Sequence, residues 1–192
     1  MVIEQRASRR ALLAGVRATL AAGGVAALAG CGRQSRAGRK SLAQVPMPIR
    51  QADIEILGHL LALERRTIAA YTAGIPLLDR AQAKAAKQFL NQELLHAGEL
   101  LGLIKAAGGE LPVRAASYDL GGRSGAADVL GLLHRLERAQ IGAYLEAIPR
   151  LAPGPVRAAV ATILNNDAQH IAILRLLQGS SPVPSAFVTA NE

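Results

Sequence analysis

The chain has 192 residues, of which 51% are apolar, 19% charged and 3% aromatic, with one cysteine and no tryptophan. So apolar a composition excludes a disordered chain, its Ala and Leu content favours close-packed helices over a β-sandwich, and one cysteine excludes an internal disulfide or a cysteine-based zinc or iron–sulfur site. The formal charge of +8 lies outside the main body, with +3 in residues 1–30, +5 in residues 31–50, and 13 basic against 13 acidic residues in 51–192; no basic face for phosphates, and so no nucleic-acid partner, is expected.

In chain order, the first feature is Arg9-Arg10 ahead of an apolar stretch, in which Ala18 to Gly30 gives 13 uncharged residues. A bilayer-spanning helix needs about 20, whereas a signal-peptide core is shorter. The stretch ends Leu28-Ala29-Gly30-Cys31, which resembles a bacterial lipobox, and the arginine pair resembles a twin-arginine export signal. These resemblances imply that residues 1–30 are removed and that the twin-arginine machinery exports the chain. They also imply a lipid on Cys31 that anchors it to the membrane, in the periplasm or on the outer face of the cell membrane. The alternative is a retained anchor with Cys31 as a small buried residue. Residues 31–50, rich in Arg, Gly, Ser and Pro, read as a basic flexible tether able to lie on anionic lipid.

Beyond the tether the chain repeats itself. At an offset of 73, Leu57-Gly58, Leu63-Glu64-Arg65, Ala70-Tyr71 and Ile75-Pro76 recur as Leu130-Gly131, Leu136-Glu137-Arg138, Ala143-Tyr144 and Ile148-Pro149. At an offset of 74, Leu90-Asn91, His96 and Leu100 recur as Leu164-Asn165, His170 and Leu174. Two copies of a helical hairpin follow, with helices expected at about 53–76, 80–107, 127–149 and 155–178. Asp79 and Pro155 suit helix entries, and Gly108-Gly109 and Gly179 suit exits. The 19 residues from 108 to 126 can span about 60 Å when extended, more than the roughly 38 Å of a 25-residue helix. They can therefore cross the length of a bundle formed by residues 51–178, and residues 179–192 read as a loose tail.

Each helix carries a carboxylate in its apolar stripe. The stripes read Leu57, Leu60, Glu64, Ile68, Tyr71 and then Phe89, Glu93, His96, Leu100. The second copy reads Leu130, Leu133, Glu137, Ile141, Tyr144 and then Ile163, Asp167, His170, Leu174. Glu64 and Glu137 lie 14 and 15 residues before turns near residues 78 and 152, and Glu93 and Asp167 lie 15 after them, so all four share one depth. Four carboxylates in an apolar interior repel one another and cost several kcal/mol each to desolvate. Two divalent cations, with His96 and His170 completing the ligand set, would cancel that charge. Tyr71 and Tyr144 read as core residues whose hydroxyls bond to carboxylates, and Asn91, Asn165 and Gln92 read as outer donors or polar flank.

One Glu from each of two helices, plus Glu-x-x-His from each of the other two, resembles the ferritin-like di-metal carboxylate superfamily. Glu64 and Glu137 match the single carboxylates, Glu93-Leu94-Leu95-His96 matches one paired motif, and Asp167-Ala168-Gln169-His170 matches the other with Asp for Glu. The resemblance implies an all-α, four-helix bundle with a long crossover between helices 2 and 3, and iron or manganese as the metal. It implies ferroxidase- or peroxidase/catalase-like chemistry. Asp167, one methylene short, bears on how well the second ion is held. The small seam residues leave little room for a large organic substrate, and a lipidated N-terminus would hinder a closed cage while leaving a homodimer open. The rival expectation is a metal-free or structurally metallated cell-envelope scaffold or stress protein.

Overall fold

The computed structural model describes residues 49–110 and 118–191. Arg9, Arg10, Cys31, the expected signal and residues 31–48 of the tether lie outside the described residues. The described chain contains four helices and no strand: α1 Gln51–Gly74, α2 Arg80–Ala106, α3 Ala126–Ala147 and α4 Pro155–Leu177. A 3₁₀ turn, Ile75–Leu77, follows α1. None of these helices is long and apolar enough to cross a membrane.

Helix ends follow local chemistry. α1 and α3 stop two residues before Pro76 and Pro149, rather than at those prolines as the spacing suggests, because proline has no N–H to extend the ladder. α2 opens on a capping box in which Asp79 Oδ1 accepts from the Gln82 N–H at 2.8 Å and Gln82 Oε1 accepts from the Asp79 N–H at 3.2 Å. It closes on Gly108 at φ 75°, with Gly108 N–H donating to Lys105 O and Gly109 N–H to Ile104 O. α4 ends the same way on Gly179, also at φ 75°. Both are Schellman motifs, in which only a residue tolerant of left-handed backbone fits.

α1 packs on α2, α3 on α4, and the two hairpins meet through α1 with α3 and α2 with α4. α1 and α3 run antiparallel. At one end a Cβ on Gly74 would lie 2.7 Å from Val129 Cγ1, so the two backbones are close enough there to demand glycine. At the other end Asp53, near the start of α1, accepts from the Ala152 N–H at 3.1 Å. Because α1 opposes both α2 and α3, α2 and α3 point the same way, and their connection must return over the length of the bundle. Gly109 leaves beside Ile54 at one end. Farther along, Tyr118 sits under Arg66, whose Cζ lies 5.8 Å from the ring centroid, and Tyr118 and Leu120 pack on the core at the Val129 end.

Asp53 is fully buried and also accepts from the Arg50 N–H at 3.0 Å and from Arg50 Nη2 at 2.8 Å. Asp53→Ala orphans two backbone donors at once. We expect it to lower the unfolding free energy by about 1–3 kcal/mol in a denaturant titration.

The core has two apolar parts. One gathers Leu57, Leu60, Leu61, Leu100, Ile104, Val160 and Ile163, and the other Ala70, Phe89, Val129, Leu130, Leu133 and Leu174. Between them lies a buried polar layer of Glu64, Thr67, Glu93, Glu137, Gln140, Asp167 and His170. Residues 179–191, expected as a loose tail, fold back across α3 and α4. Arg175 Nε donates to Ser181 O at 2.6 Å, and Arg138 donates to Ala190 O through Nε at 3.2 Å and Nη2 at 3.1 Å. Pro182, Val183 and Val188 come down beside Ile141 and Ile171. Arg138 thus serves the tail, pointing away from the Glu137 face.

Candidate metal centre

The six residues singled out by the repeat meet in that polar layer. Glu64 comes from α1, Glu93 and His96 from α2, Glu137 from α3, and Asp167 and His170 from α4. The four carboxylate residues are 0% exposed and His170 1%; only His96, with 11% of its side chain exposed, reaches toward solvent. Facing ligand atoms of Glu93, Glu137, Asp167 and His170 lie within 4.8 Å of one another, and those of Glu64, His96 and Asp167 do the same. Asp167, despite its shorter side chain, takes part in both groups.

Both imidazoles turn Nδ1 inward. His170 Nδ1 is 3.3 Å from Glu93 Oε1 and 3.3 Å from Glu137 Oε1. His96 Nδ1 is 3.3 Å from Asp167 Oδ1, 3.6 Å from Glu93 Oε1 and 3.8 Å from Glu64 Oε2. Glu64 Oε2, Glu93 Oε1, Glu137 Oε2, both Asp167 oxygens and both Nδ1 atoms are buried without a hydrogen-bond partner. Buried polar atoms of folded proteins are nearly always paired. Seven orphans in one spot, all of them oxygen or imidazole lone-pair donors, fit a site for divalent cations.

The other atoms of these side chains are held from outside. Tyr71 donates to Glu137 Oε1 at 2.6 Å, and Tyr144 donates to Glu64 Oε1. The tyrosines were expected to bond to carboxylates, and each reaches the one on the opposite hairpin. Gln92 Oε1 lies 2.8 Å from His170 Nε2, which places the ring proton on Nε2 and leaves Nδ1 free as a ligand. Gln140 Nε2 donates to Glu93 Oε2 at 3.0 Å, while Gln140 Oε1 accepts from Thr67 Oγ1 at 2.6 Å. Asn91 and Asn165 are exposed. Sequence reasoning missed Thr67 and Gln140, although they are equivalent in the repeat and lie three residues after Glu64 and Glu137, one turn along the same face.

Without a cation this layer holds protons. Burial, reinforced by the charge of Glu93, pushes Glu64 and Asp167 well above the usual carboxylate range and raises Glu137 too. Burial works against the His170 imidazolium, yet Glu137 and Glu93 beside it hold it up to about 9. Burial would raise Glu93 as well, but His170 and His96 keep it below its ordinary value. Burial also keeps Tyr71 and Tyr144 neutral, well above the ordinary phenol value.

Two helical hairpins joined by a full-length crossover, around a buried carboxylate–histidine layer, define a ferritin-like helical bundle. The family model described as ferritin-like domain matches residues 52–180, and the chain belongs to this family. Among solved structures it is similar to a conserved hypothetical protein from Mycobacterium tuberculosis, at 26% identity and a TM-score of 0.63, over 71% of this chain and 96% of that one. No curated protein matches the chain.

Proposed function

We propose that this protein is an exported, lipid-anchored ferritin-like oxidoreductase that binds two iron or manganese ions between its four helices. The observation that carries the reading is the convergence of seven unpartnered ligand atoms from all four helices. Glu64, Glu93, His96, Glu137, Asp167 and His170 would be the ligands, with Glu93 and Asp167 facing both positions. Iron held there would supply two-electron redox chemistry, one electron from each Fe(II), enough with two protons to take a peroxide to two waters or dioxygen to hydrogen peroxide.

The protein's own part is to position and to exclude. Tyr71 and Tyr144 hold one oxygen of Glu137 and Glu64 and leave the other facing the centre. The apolar clusters above and below keep bulk water out. Protons held by Glu64, Asp167 and His170 in the metal-free layer must leave when cations enter, so metal uptake should release acid.

The test is metal content per chain of protein purified from its native host, followed by addition of Fe(II) in air and near-ultraviolet absorption. Two ions per chain and iron oxidation are expected, both lost in Glu93→Ala/His96→Ala. Absence of stoichiometric metal, or unchanged oxidation by that variant, ends this reading and leaves the envelope scaffold. Anchoring is separable, resting on Leu28-Ala29-Gly30-Cys31 and the Arg9-Arg10 pair. Cys31→Ser should move the protein from the membrane fraction to the soluble fraction, and replacing both arginines by lysine should keep it in the cytoplasm, both read by fractionation.

A further inference from the structure

The two halves of the repeat place equivalent residues around the two histidines, but these residues do not match. Around His170 every ligand except the shared Asp167 has an outer partner. Glu137 is held by Tyr71, Glu93 by Gln140, and Gln140 in turn by Thr67. His170 Nε2 is held by Gln92, and its ring stacks on Phe89 with centroids 4.4 Å apart.

Around His96 the same positions are occupied by smaller groups. Asn166 stands where the repeat has Gln92, and among the described residues nothing bonds His96 Nε2. Thr67 stands where the repeat has Gln140. Its hydroxyl is spent on Gln140, so nothing donates to Asp167 and both its oxygens are unpartnered. Asp167 itself replaces a Glu, and Ile163 replaces the stacking Phe89. Asp167 is shared by both groups, but the other departures fall on the His96 side of the layer, which is also the side where solvent reaches a ligand, His96. Of the outer bonds found around His170, only the tyrosine's is preserved, from Tyr144 to Glu64.

From this asymmetry we infer that the two cation positions are unequal. The His170 position is fixed in advance and retains its ion, and the His96 position is the exchanging one, through which ions enter and leave. The inference rests on the reading that the layer binds metal and adds which position turns over. Outer-sphere partners that orient a ligand are each worth about 10–100-fold in metal affinity. The His96 position lacks two of them and the His170 position, through the shared Asp167, only one, so the His96 ion should bind about 10–100-fold more weakly. Gln92 and Gln140 act as positioning residues, since both hold ligands by the atom turned away from the centre.

The test is a Mn(II) titration of the full chain, stripped of metal beforehand, with free Mn(II) read by electron paramagnetic resonance. Two ions should bind with dissociation constants about 10–100-fold apart. His96→Ala should remove the weaker ion and His170→Ala the tighter. Gln92→Leu should weaken the tighter ion by about 10–100-fold and leave the weaker unchanged. Restoring the repeat with Asn166→Gln/Asp167→Glu should tighten the weaker ion at least about 10-fold, a gain that a misfolded variant cannot imitate. Equal affinities in the parent, or a tighter ion that survives His170→Ala, would overturn the inequality while leaving metal binding intact. No Mn(II) uptake at all would overturn both readings.

Discussion

Glu93→Gln should abolish tight binding of both ions and also lower the melting temperature of the metal-free protein. Glu93 Oε1 is buried, unpartnered, and lies within 3.6 Å of both inward-facing imidazole nitrogens. Its charge also heads the electrostatic causes that raise Glu64, Glu137 and Asp167. An amide keeps the volume, so no cavity forms. Its carbonyl can still accept from Gln140, but its NH₂ then faces the inward nitrogens of His96 and His170, and the attraction to them that holds the Glu93 carboxylate below its ordinary range is lost. As a ligand, however, the neutral amide is much the poorer partner for a divalent cation. We expect each ion to bind at least about 100-fold more weakly in a Mn(II) titration, in keeping with the loss of a ligand rather than of its support. Calorimetry should show the metal-free variant still melting cooperatively, but below the metal-free parent. A variant that melted lower yet kept its metal would make Glu93 a structural residue.

The second large effect is a pH dependence that changes sign with metal. Glu64, Glu137, Asp167 and His170 all hold protons more tightly in the folded chain than in the unfolded one. A group of this kind contributes its full stability below its unfolded pKa and loses it as pH rises through the folded value. For the carboxyls the loss begins above their ordinary range near 4. For His170 it runs from about 6.5 to about 9. That histidine alone accounts for on the order of 3 kcal/mol, so the metal-free melting temperature should fall by on the order of 10 °C between pH 5 and pH 9. Glu93, held below its ordinary value, acts the other way only in more acid solution. With saturating Mn(II) the trend should reverse over the same interval, because cations and protons compete for the same atoms and binding strengthens as protons leave. Melting curves across pH, with and without Mn(II), read both slopes. A metal-free protein that gained stability toward pH 9 would contradict the proton-holding layer.

Much of this site was legible before any coordinates, because its information is periodic. Glu64, Glu93, Glu137 and Asp167 sit in apolar stripes at steps of three and four, and equal distances from two turns set them at one depth. His96 and His170 follow at i+3. The outer bonds were less legible. Tyr71 lies seven residues beyond Glu64 on the same helix, about 10 Å along its axis, too far to reach its own carboxylate. Only the antiparallel register of α1 against α3 brings it to Glu137, and brings Tyr144 to Glu64. Thr67 and Gln140 were equally unreadable, since a threonine and a glutamine at equivalent positions do not look like a pair until the helices are side by side. The tail shows the same limit, because no local pattern in residues 179–191 announces that Arg138 will hold Ala190.

The order of residues alone therefore determined the helices, their pairing into two related hairpins, and the six side chains that face inward. It did so because helical periodicity and repeat spacing are properties of a single segment, readable without its neighbours. Tertiary structure alone decided which oxygen of each glutamate is held and which is left facing the centre, and that Gln92 and Gln140 brace ligands of His170's group while His96 and Asp167 have no such brace. Those facts depend on the register and distance between helices, which packing sets through contacts such as Gly74 against Val129 and Asp53 against Ala152, far apart in the chain.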